Sequence, residues 1–220
     1  MKKIAFVFLI VFACYTGFSQ YIDDRVSGKP YTDKQYTEIQ GSPFLLTDWS
    51  NGVIYLKNGS KIEKYLLQLD AYAGLLLFKY NDQPLIVQNE VKEFVLQPAG
   101  SEPYLFRNGY KPLDKNTATT WYQVLQDGPV SLLKQVKKTL GEKTEYGSAT
   151  KTQIFVVSES WYIAKADGSL VKIKKDKSSL LDALSDKKDQ LNNFIEKEKL
   201  RVKSEEDMKA VVKAYNENAG

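Results

Sequence analysis

The side chains that most often carry out catalysis are nearly absent from this chain. Among its 220 residues there is no histidine and a single cysteine, Cys14. The lack of histidine excludes Ser-His-Asp and Cys-His nucleophile systems, His-x-x-x-His metal sites and imidazole acid/base chemistry. The sequence also contains no EF-hand loop, Walker glycine loop or Gly-x-Gly-x-x-Gly run. Composition therefore argues against most metal-dependent and nucleophilic enzymes.

Carboxylates are the remaining candidates for catalysis. The chain has 27 Asp and Glu residues, so many pairs could meet the separation of roughly 5–10 Å that glycosidases use. No spacing singles out one pair, and Ser-Lys dyads or oxygen-ligand sites for Ca²⁺ or Mg²⁺ are equally unmarked. A carboxylate-dependent hydrolase is thus the weakest of three functional hypotheses. The sequence predicts no catalytic residue, no metal ligand and no cofactor.

Aromatic residues offer a different chemistry, the binding of ligands by ring faces. The chain carries 14 tyrosines and three tryptophans, and an exposed aromatic platform could stack sugars. The candidate ligand or partner surface consists of Trp161 in a predicted hairpin and Tyr21, Tyr31 and Tyr36 in the polar stretch 20–40. The competing interpretation gives these rings a packing role, with Trp161 covered by the helices that follow it. Trp49 and Trp121 are interpreted as packing residues.

The distribution of charge argues against nucleic acid as a partner. The formal net charge is +4, and Lys2 and Lys3 contribute two of these charges. From residue 172 onward, acidic and basic residues are interleaved, whereas a nucleic-acid footprint requires clustering of one sign. We interpret these charges as a solvated surface.

The N-terminus predicts export. Two lysines precede the unbroken apolar run 4–13, which has the length of a secretory signal core and is too short to span a bilayer. The favoured processing site lies between Ser19 and Gln20. Two alternatives stay open: a lipoprotein signal in which Cys14 becomes the acylated first residue, and an uncleaved anchor. We expect a periplasmic or extracellular protein, on a membrane only if Cys14 is lipidated.

Turn signals divide the rest of the chain. We predict a signal peptide at 1–19, a polar linker or edge segment at 20–40, an antiparallel β region at 41–177 and a C-terminal helical hairpin at 178–220. The fold class is α+β, with about nine or ten antiparallel strands in one curved sheet or two small sheets and the helices packed on the sheet. A candidate seam lies at 108–119. The apolar run 74–80, GLLLFKY, predicts a central strand.

Asn-Gly and Asp-Gly pairs predict the tight turns between strands. Two-residue turns at Asn58-Gly59, Asp127-Gly128 and Asp167-Gly168 set the expected registers. The predicted pairs are Tyr55 with Ile62, Leu125 with Val130, and Ala164 with Val171.

The apolar period becomes helical after residue 177. Ser179 and Ser204 are each followed three residues later by an aspartate, which predicts two capping boxes. We expect the helices to dock on the hairpin face that carries Trp161, Ile163 and Leu170. Emptying the site of Phe194 by substitution with alanine would then cost ~3–5 kcal/mol. The predicted apolar stripes contain Leu180, Leu181, Leu184, Leu191, Phe194 and Ile195 in the first part, and Met208, Val211, Val212 and Tyr215 in the second.

The order of these features is familiar. An N-terminal signal ending in FSQ, the segments GSPFL and WSNGVIYLKNG, and LLDALSDKKDQLNNFIEKEKL before SEEDMKAVVKAYN resemble uncharacterised exported proteins of Bacteroidota. The resemblance implies a cell-envelope location and carries over no activity, ligand or site residue. The leading hypothesis is therefore a non-enzymatic protein-binding or structural module of the envelope, and the alternative is a glycan-binding module. The expected partner is an envelope protein or a glycan.

Overall fold

Antiparallel strands make up most of the fold, and helices follow them in the chain. The computed structural model describes residues 26–144 and 151–217, together with the backbone of residues 22–23. This arrangement confirms the predicted α+β class. The strands are β1 (Ile22–Asp23), β2 (Val26–Pro30), β3 (Ser50–Leu56), β4 (Lys61–Ile62), β5 (Leu66–Asp70), β6 (Leu75–Tyr80), β7 (Gln83–Val87), β8 (Val91–Gln97), β9 (Tyr104–Arg107), β10 (Tyr122–Gln126), β11 (Ser131–Thr144), β12 (Lys151–Ala164) and β13 (Leu170–Ile173). The helices are α1 (Lys177–Ala183), α2 (Lys188–Lys197) and α3 (Glu205–Glu217), with 3-10 turns at Lys34–Tyr36 and Ser185–Lys187.

One sheet contains all the described strands. Its order is β1-β2-β7-β6-β5-β3-β8-β9-β10-β11-β12-β13, with β4 paired to β3 beside this path. Across the loop at 108–119, β9 and β10 pair directly, Arg107 opposite Tyr122. The sheet therefore continues without interruption past the candidate seam, and of the two predicted arrangements the structure has the single curved sheet.

The N-terminal half of the sheet buries its own core. β6 is apolar on both faces, as predicted, and Leu77 and Phe78 are fully buried between β5 and β7. The stretch predicted as a linker or edge segment contains β2, which pairs with β7. This first core includes Val26, Ile54, Leu67, Phe78, Phe94, Leu96 and Phe106.

Two predicted hairpins have the right strands but a register shifted by one residue. Ile54, not Tyr55, lies opposite Ile62, and Leu170, not Val171, lies opposite Ala164. In both turns three residues separate the last paired positions, and the final one is a glycine with positive φ. A type I turn followed by a left-handed residue has this geometry. The extra residue moves Leu170 to the face opposite Ile163, so the prediction that Leu170 supports the helices was wrong.

The third predicted register was also wrong. The loop at Asp127-Gly128 is longer than two residues, so that Val124 pairs with Leu133, and a bulge follows before Gln126. The extra loop residues are bonded locally, since the Ser131 hydroxyl donates to Asp127 at 3.1 Å. The predicted strand pairing itself, β10 with β11, is confirmed.

The long hairpin β11–β12 keeps one unbroken register over all 14 residues of each strand. Side chains therefore alternate between two faces along its whole length. The face with Leu132 and Ile163 packs under the helices and is called the helix face. The face with Leu133 and Tyr162 holds a smaller core and is called the cleft face.

The helices dock on the helix face, as predicted. Leu191 and Ile195 of α2 and Val211 of α3 are fully buried there, while Phe194 is partly buried at the edge of the interface.

The cap of α1 differs from the prediction: the Asp176 carboxylate accepts from the N–H of Ser179 at 2.8 Å, so the helix begins earlier. At the second helix start the Ser204 cap is confirmed, because its hydroxyl accepts from the N–H of Asp207 at 3.1 Å. The Asp207 carboxylate does not complete the capping box and instead accepts from the N–H groups of Arg201 and Val202.

The end of α3 closes over the β10–β11 loop through one side chain. The Asn216 amide accepts from the N–H of Val130 at 3.1 Å and donates to its carbonyl at 2.8 Å. A Cβ at Gly128 would overlap this amide, so the close approach requires glycine. Asn216 thus pairs with Val130 as a neighbouring strand would.

The sheet curls until β5 meets β11. The N–H of Lys138 on β11 donates to the carbonyl of Ala71, directly after β5, at 3.1 Å. Beside this contact Gln40 bridges β12, donating to Gln153 at 2.9 Å and accepting from Phe155 at 3.0 Å. The segment before β3 therefore ties the two halves of the sheet together.

Candidate functional site

A cleft opens where the curled sheet leaves one strand edge uncovered. β10 pairs with β11 only as far as Lys134, whereas β11 continues to residue 144 and meets Ala71 only at Lys138. The gap between them forms a cleft of about 210 Å³. Its walls are the β5–β6 turn, the loop before β10 and the exposed stretch of β11. The polar and aromatic lining includes Lys115, Asn116, Thr120, Trp121, Gln135 and Lys137.

Two side-chain amides form the polar floor of the cleft. Asn116 Nδ2 donates to Gln135 Oε1 at 3.1 Å, and Gln135 Nε2 donates to Asn116 Oδ1 at 2.9 Å. The Tyr162 hydroxyl donates to Gln135 Oε1 and accepts from Asn116 Nδ2, both at 3.2 Å. These bonds fix both amides while leaving one N–H of Gln135 without a partner among the described residues. The floor is preorganised to bind a polar group.

Tyrosine rings support this floor from below. Tyr122 is buried, and its ring packs edge-on against Tyr162 at 5.3 Å and Tyr110 at 5.6 Å. Burial raises the pKa of Tyr122 to about 12, although the nearby Asn116 side chain acts in the opposite direction. Among the described residues, no hydrogen bond of good geometry reaches the hydroxyl of Tyr110 or Tyr122, although Arg107 lies near the first and Asn116 near the second. The ring cluster therefore stabilises the site by packing.

Trp121 supplies an aromatic wall. Its ring packs edge-on against Phe94, with centroids 4.8 Å apart, and remains only partly buried. Sequence reasoning missed its position at the cleft. The available signal was the hydroxyl-rich run TATT directly before it, which places polar loop residues next to a ring at a strand start.

The charges at the cleft are of one sign. Lys115 and Lys137 lie on different walls, and both residues are exposed. Among the described residues, the lining contains no Asp, Glu, His or Cys, which are common proton-transfer groups and metal ligands. The arrangement can hold a ligand by hydrogen bonds, ring contact and positive charge. Elsewhere in the described ranges, no group of three or more His, Cys, Asp or Glu side chains could hold a metal ion.

Two of the predicted ligand-surface tyrosines bind a buried carboxylate instead. The hydroxyls of Tyr31 and Tyr36 donate to Asp70 Oδ2 at 2.9 and 3.1 Å. The N–H groups of Tyr72 and Ala73 donate to its other oxygen at 2.9 and 2.8 Å. Burial, together with the Asp70 charge, raises the pKa of Tyr36 to about 12. This cluster ties the N-terminal segment to the β5–β6 turn, whose residues Tyr72 and Ala73 line one wall of the cleft.

Of the other residues predicted for sites, only Trp161 lies among the described residues. Trp161 lies on the helix face, where its Nε1 donates to Glu205 at 3.1 Å and Lys175 lies 4.4 Å from its ring centre. It is partly buried against the helices. Tyr21, the predicted processing site Ser19 and Gln20, and Cys14 lie outside the described residues.

A second pocket is lined by the side chains of Glu159 and Glu205. Lys134 Nζ lies 2.8 Å from Glu159 and 2.9 Å from Glu205, at the edge of a pocket of about 410 Å³. Burial alone would lower the pKa of Lys134, but hydrogen bonds to both glutamates outweigh it and raise that pKa. One ammonium thus serves two carboxylates, and this triad joins β11 and β12 to α3.

Comparison with known proteins adds no assignment. No protein-family model, curated protein or solved structure matches the chain. In the part of the chain that the structure describes, no helix has the length and apolar character needed to cross a membrane.

Proposed function

We propose that this protein is an exported, non-enzymatic binding protein of the cell envelope, and that the cleft holds a saccharide. The observation that carries the proposal is the lining of the cleft. It combines an aromatic ring, Trp121, with fixed amides and threonine hydroxyls, and the part of the chain that the structure describes contributes no carboxylate or imidazole to it. A sugar presents hydroxyls that amides bind and C–H faces that pack on rings.

The absence of carboxylates and imidazoles from the described lining of the cleft supports binding over glycoside hydrolysis. Glycoside hydrolysis requires two carboxylates that flank the scissile bond, and the described residues place none in the cleft. The pair Glu159 and Glu205 shares the ammonium of Lys134.

The test is saccharide binding by the full chain and by matched tryptophan variants. Trp121→Ala removes the aromatic wall and is expected to weaken binding at least about tenfold, as loss of an aromatic anchor does. Trp49→Ala is the control, because Trp49 lies outside the cleft lining. Titration of mono- and disaccharides by calorimetry gives the affinities, and thermal melts verify that both variants fold. Failure of every saccharide to bind, or equal loss in both variants, would contradict the proposal.

A protein partner at the outer edge of β12 is the second candidate. Between the contact of Phe155 with Gln40 and the pairing of Trp161 with β13, residues 156–160 have no described strand on their outer edge. Val157 in this stretch is 55% exposed. Uncovered edges accept an added strand, and an exposed apolar residue favours such pairing.

The edge candidate has its own discriminating variant. Val157→Lys should abolish capture of an envelope protein by the immobilised chain, because a charge on the edge opposes strand addition. Leu66→Lys is the matched control at another exposed apolar position. Capture that survives Val157→Lys would remove this candidate.

A further inference from the structure

Charge is segregated between the two faces of the outer part of the long hairpin. We call residues 135–144 and 151–160 the arm. On its helix face, Glu142 is paired with Lys151 at 2.7 Å and Glu159 with Lys134 at 2.8 Å. On its cleft face the described residues include Lys137 and Lys143 and no acid, and no described carboxylate pairs with either lysine. The cleft face of the arm is therefore positive although the chain as a whole is nearly balanced.

This positive face is continuous with the cleft. Gln135 and Lys137 line the cleft, and the alternation of the unbroken register carries the same face outward along both strands. Ser158 lies opposite Lys137 and Thr152 opposite Lys143, and between the lysines the Val156 side chain packs close to Gly141. From residue 135 to residue 143 this surface extends about 27 Å, at ~3.4 Å per residue. We call it the polar strip: Gln135, Lys137, Thr139, Lys143, Ser158 and Ser160.

We propose that the polar strip extends the cleft into an elongated site for an acidic saccharide chain. The inference rests on the proposed function, since the cleft would hold the first sugars and the strip the following ones. Lys137 and Lys143 are six residues apart, about 20 Å along the strand, so one small anion cannot contact both. A chain with repeated carboxylate or sulfate groups can, and its hydroxyls can bond to Thr139 between the lysines and to Ser158 beside Lys137. The positive charges of Lys137 and Lys143 therefore favour a ligand with several negative charges. The continuity of the polar strip with the cleft favours a saccharide as that ligand.

The probes are galacturonate oligomers of graded length and neutral glucose oligomers of the same lengths, titrated into the full chain by calorimetry. Affinity for the acidic series should rise with length, exceed that for the neutral series and weaken with added salt. Lys143→Gln should lower the affinity for long acidic oligomers about tenfold, as loss of a charge-assisted contact does, and leave short ones unchanged. Lys137→Gln should weaken both. Lys151→Gln is the matched control, since it removes the same charge from the opposite face of the same arm.

The outcomes separate this inference from the proposed function. If short saccharides bind and Trp121→Ala abolishes that binding, but length and charge have no effect, the strip is not part of the site and the cleft proposal stands. If no saccharide binds, the cleft proposal itself fails. Equal losses in Lys143→Gln and Lys151→Gln would show attraction by net charge alone and overturn the strip. Binding of polyglutamate with the affinity of the long galacturonate oligomers would overturn the assignment to a saccharide.

Discussion

The base and the arm of the long hairpin belong to the same two strands and differ in what covers them. At the base, residues 131–134 and 161–164 are covered by helices on one face and by the tyrosine cluster on the other. Along the arm, backbone pairing continues unchanged, yet most side chains are exposed. Strand pairing alone therefore does not distinguish the two regions. The two regions differ because helices and the tyrosine cluster cover the base, which is therefore buried, whereas most of the arm remains exposed.

Under the proposed function, this difference separates stability from saccharide recognition within one element. Buried apolar area stabilises the base, since burial contributes about 25 cal/mol per Å². The arm is held at a few points, such as the bond of 2.6 Å from Lys138 Nζ to the carbonyl of Ser42. Substitutions at the base should consequently change the free energy of unfolding, whereas substitutions on the arm should change binding.

The largest effect is expected at the base. Ile163 is fully buried under the helices, so Ile163→Ala should lower the free energy of unfolding by about 4 kcal/mol. Val157→Ala, six residues away on the same strand, should stay within about 0.5 kcal/mol, because that side chain is mostly exposed. Urea denaturation of both variants measures the contrast. Similar losses at the two positions would mean that the arm is packed as the base is.

The second-largest loss of stability is expected at the buried carboxylate of Asp70, next to the contact between Ala71 and Lys138 of the arm. Asp70 is 0% exposed and accepts four hydrogen bonds. Asp70→Ala would leave two hydroxyls and two backbone N–H groups without their acceptor, at a cost of about 3 kcal/mol. Asp70→Asn keeps one oxygen and should cost less. Denaturation midpoints of the two variants decide, and an unchanged midpoint for Asp70→Ala would contradict the role of this cluster.

Phe194 tests the edge of the helix interface. Because Phe194 is partly buried while Ile195 is fully buried, Phe194→Ala should cost about 2 kcal/mol, less than the range for a fully buried aromatic site. Ile195→Ala should cost more. The same urea series ranks the two, and the reverse order would place Phe194 in the centre of the interface.

Two tyrosine hydroxyls offer a smaller and sharper contrast. Tyr36→Phe removes a donor to Asp70 and should cost about 1 kcal/mol. Tyr122→Phe removes a buried hydroxyl without a described partner, and its effect should be near zero or slightly stabilising. Thermal melts of both variants compare them directly. A substantial loss in Tyr122→Phe would indicate that its hydroxyl is bonded.

The last prediction concerns the ionisation of Tyr36 and Tyr122 at alkaline pH, which has the smallest effect on stability near neutral pH. The pKa of Tyr36 and of Tyr122 is raised to about 12 in the folded chain, above the value of about 10 for an unfolded chain. Since the protonated form is favoured by folding, this contribution is complete below pH ~10 and is lost as pH rises toward ~12. Denaturation at increasing alkaline pH, with a spectrophotometric titration of tyrosinate, measures it. Tyr36→Phe should remove one of the late-titrating groups.

Local signals in the sequence predicted elements better than they predicted registers. GLLLFKY is apolar on both faces and is a central strand, because burial on both sides requires that pattern. Asn58-Gly59 and Asp167-Gly168 marked turns correctly, but an Asx-Gly pair fits both two- and three-residue turns. The choice between them depends on how the strands twist and pack, and a single residue moved Leu170 to the other face.

Local sequence signals could not predict the candidate site, because its residues come from separate parts of the chain. Gln135, Asn116 and the β5–β6 turn are separated in sequence and meet because the sheet curls until Lys138 reaches Ala71. Tyr31 and Tyr36 resembled surface aromatics because their acceptor, Asp70, lies in another strand. Polar residues that satisfy one another across a fold look like ligand-binding residues until the partner is known.

The two hydrogen bonds between Asn216 and Val130 also affect the order in which the chain folds during synthesis. The residue that seals the β10–β11 loop is made 86 residues after the Val130 that it binds. At about 5–20 residues per second, synthesis of that stretch takes roughly 4–17 s. During that interval the loop and the helix face of the hairpin stay open, since α2 and α3 have not yet emerged to cover them. The core under the helices is therefore completed after the core of the N-terminal half, and the helix face stays accessible to chaperones during this interval.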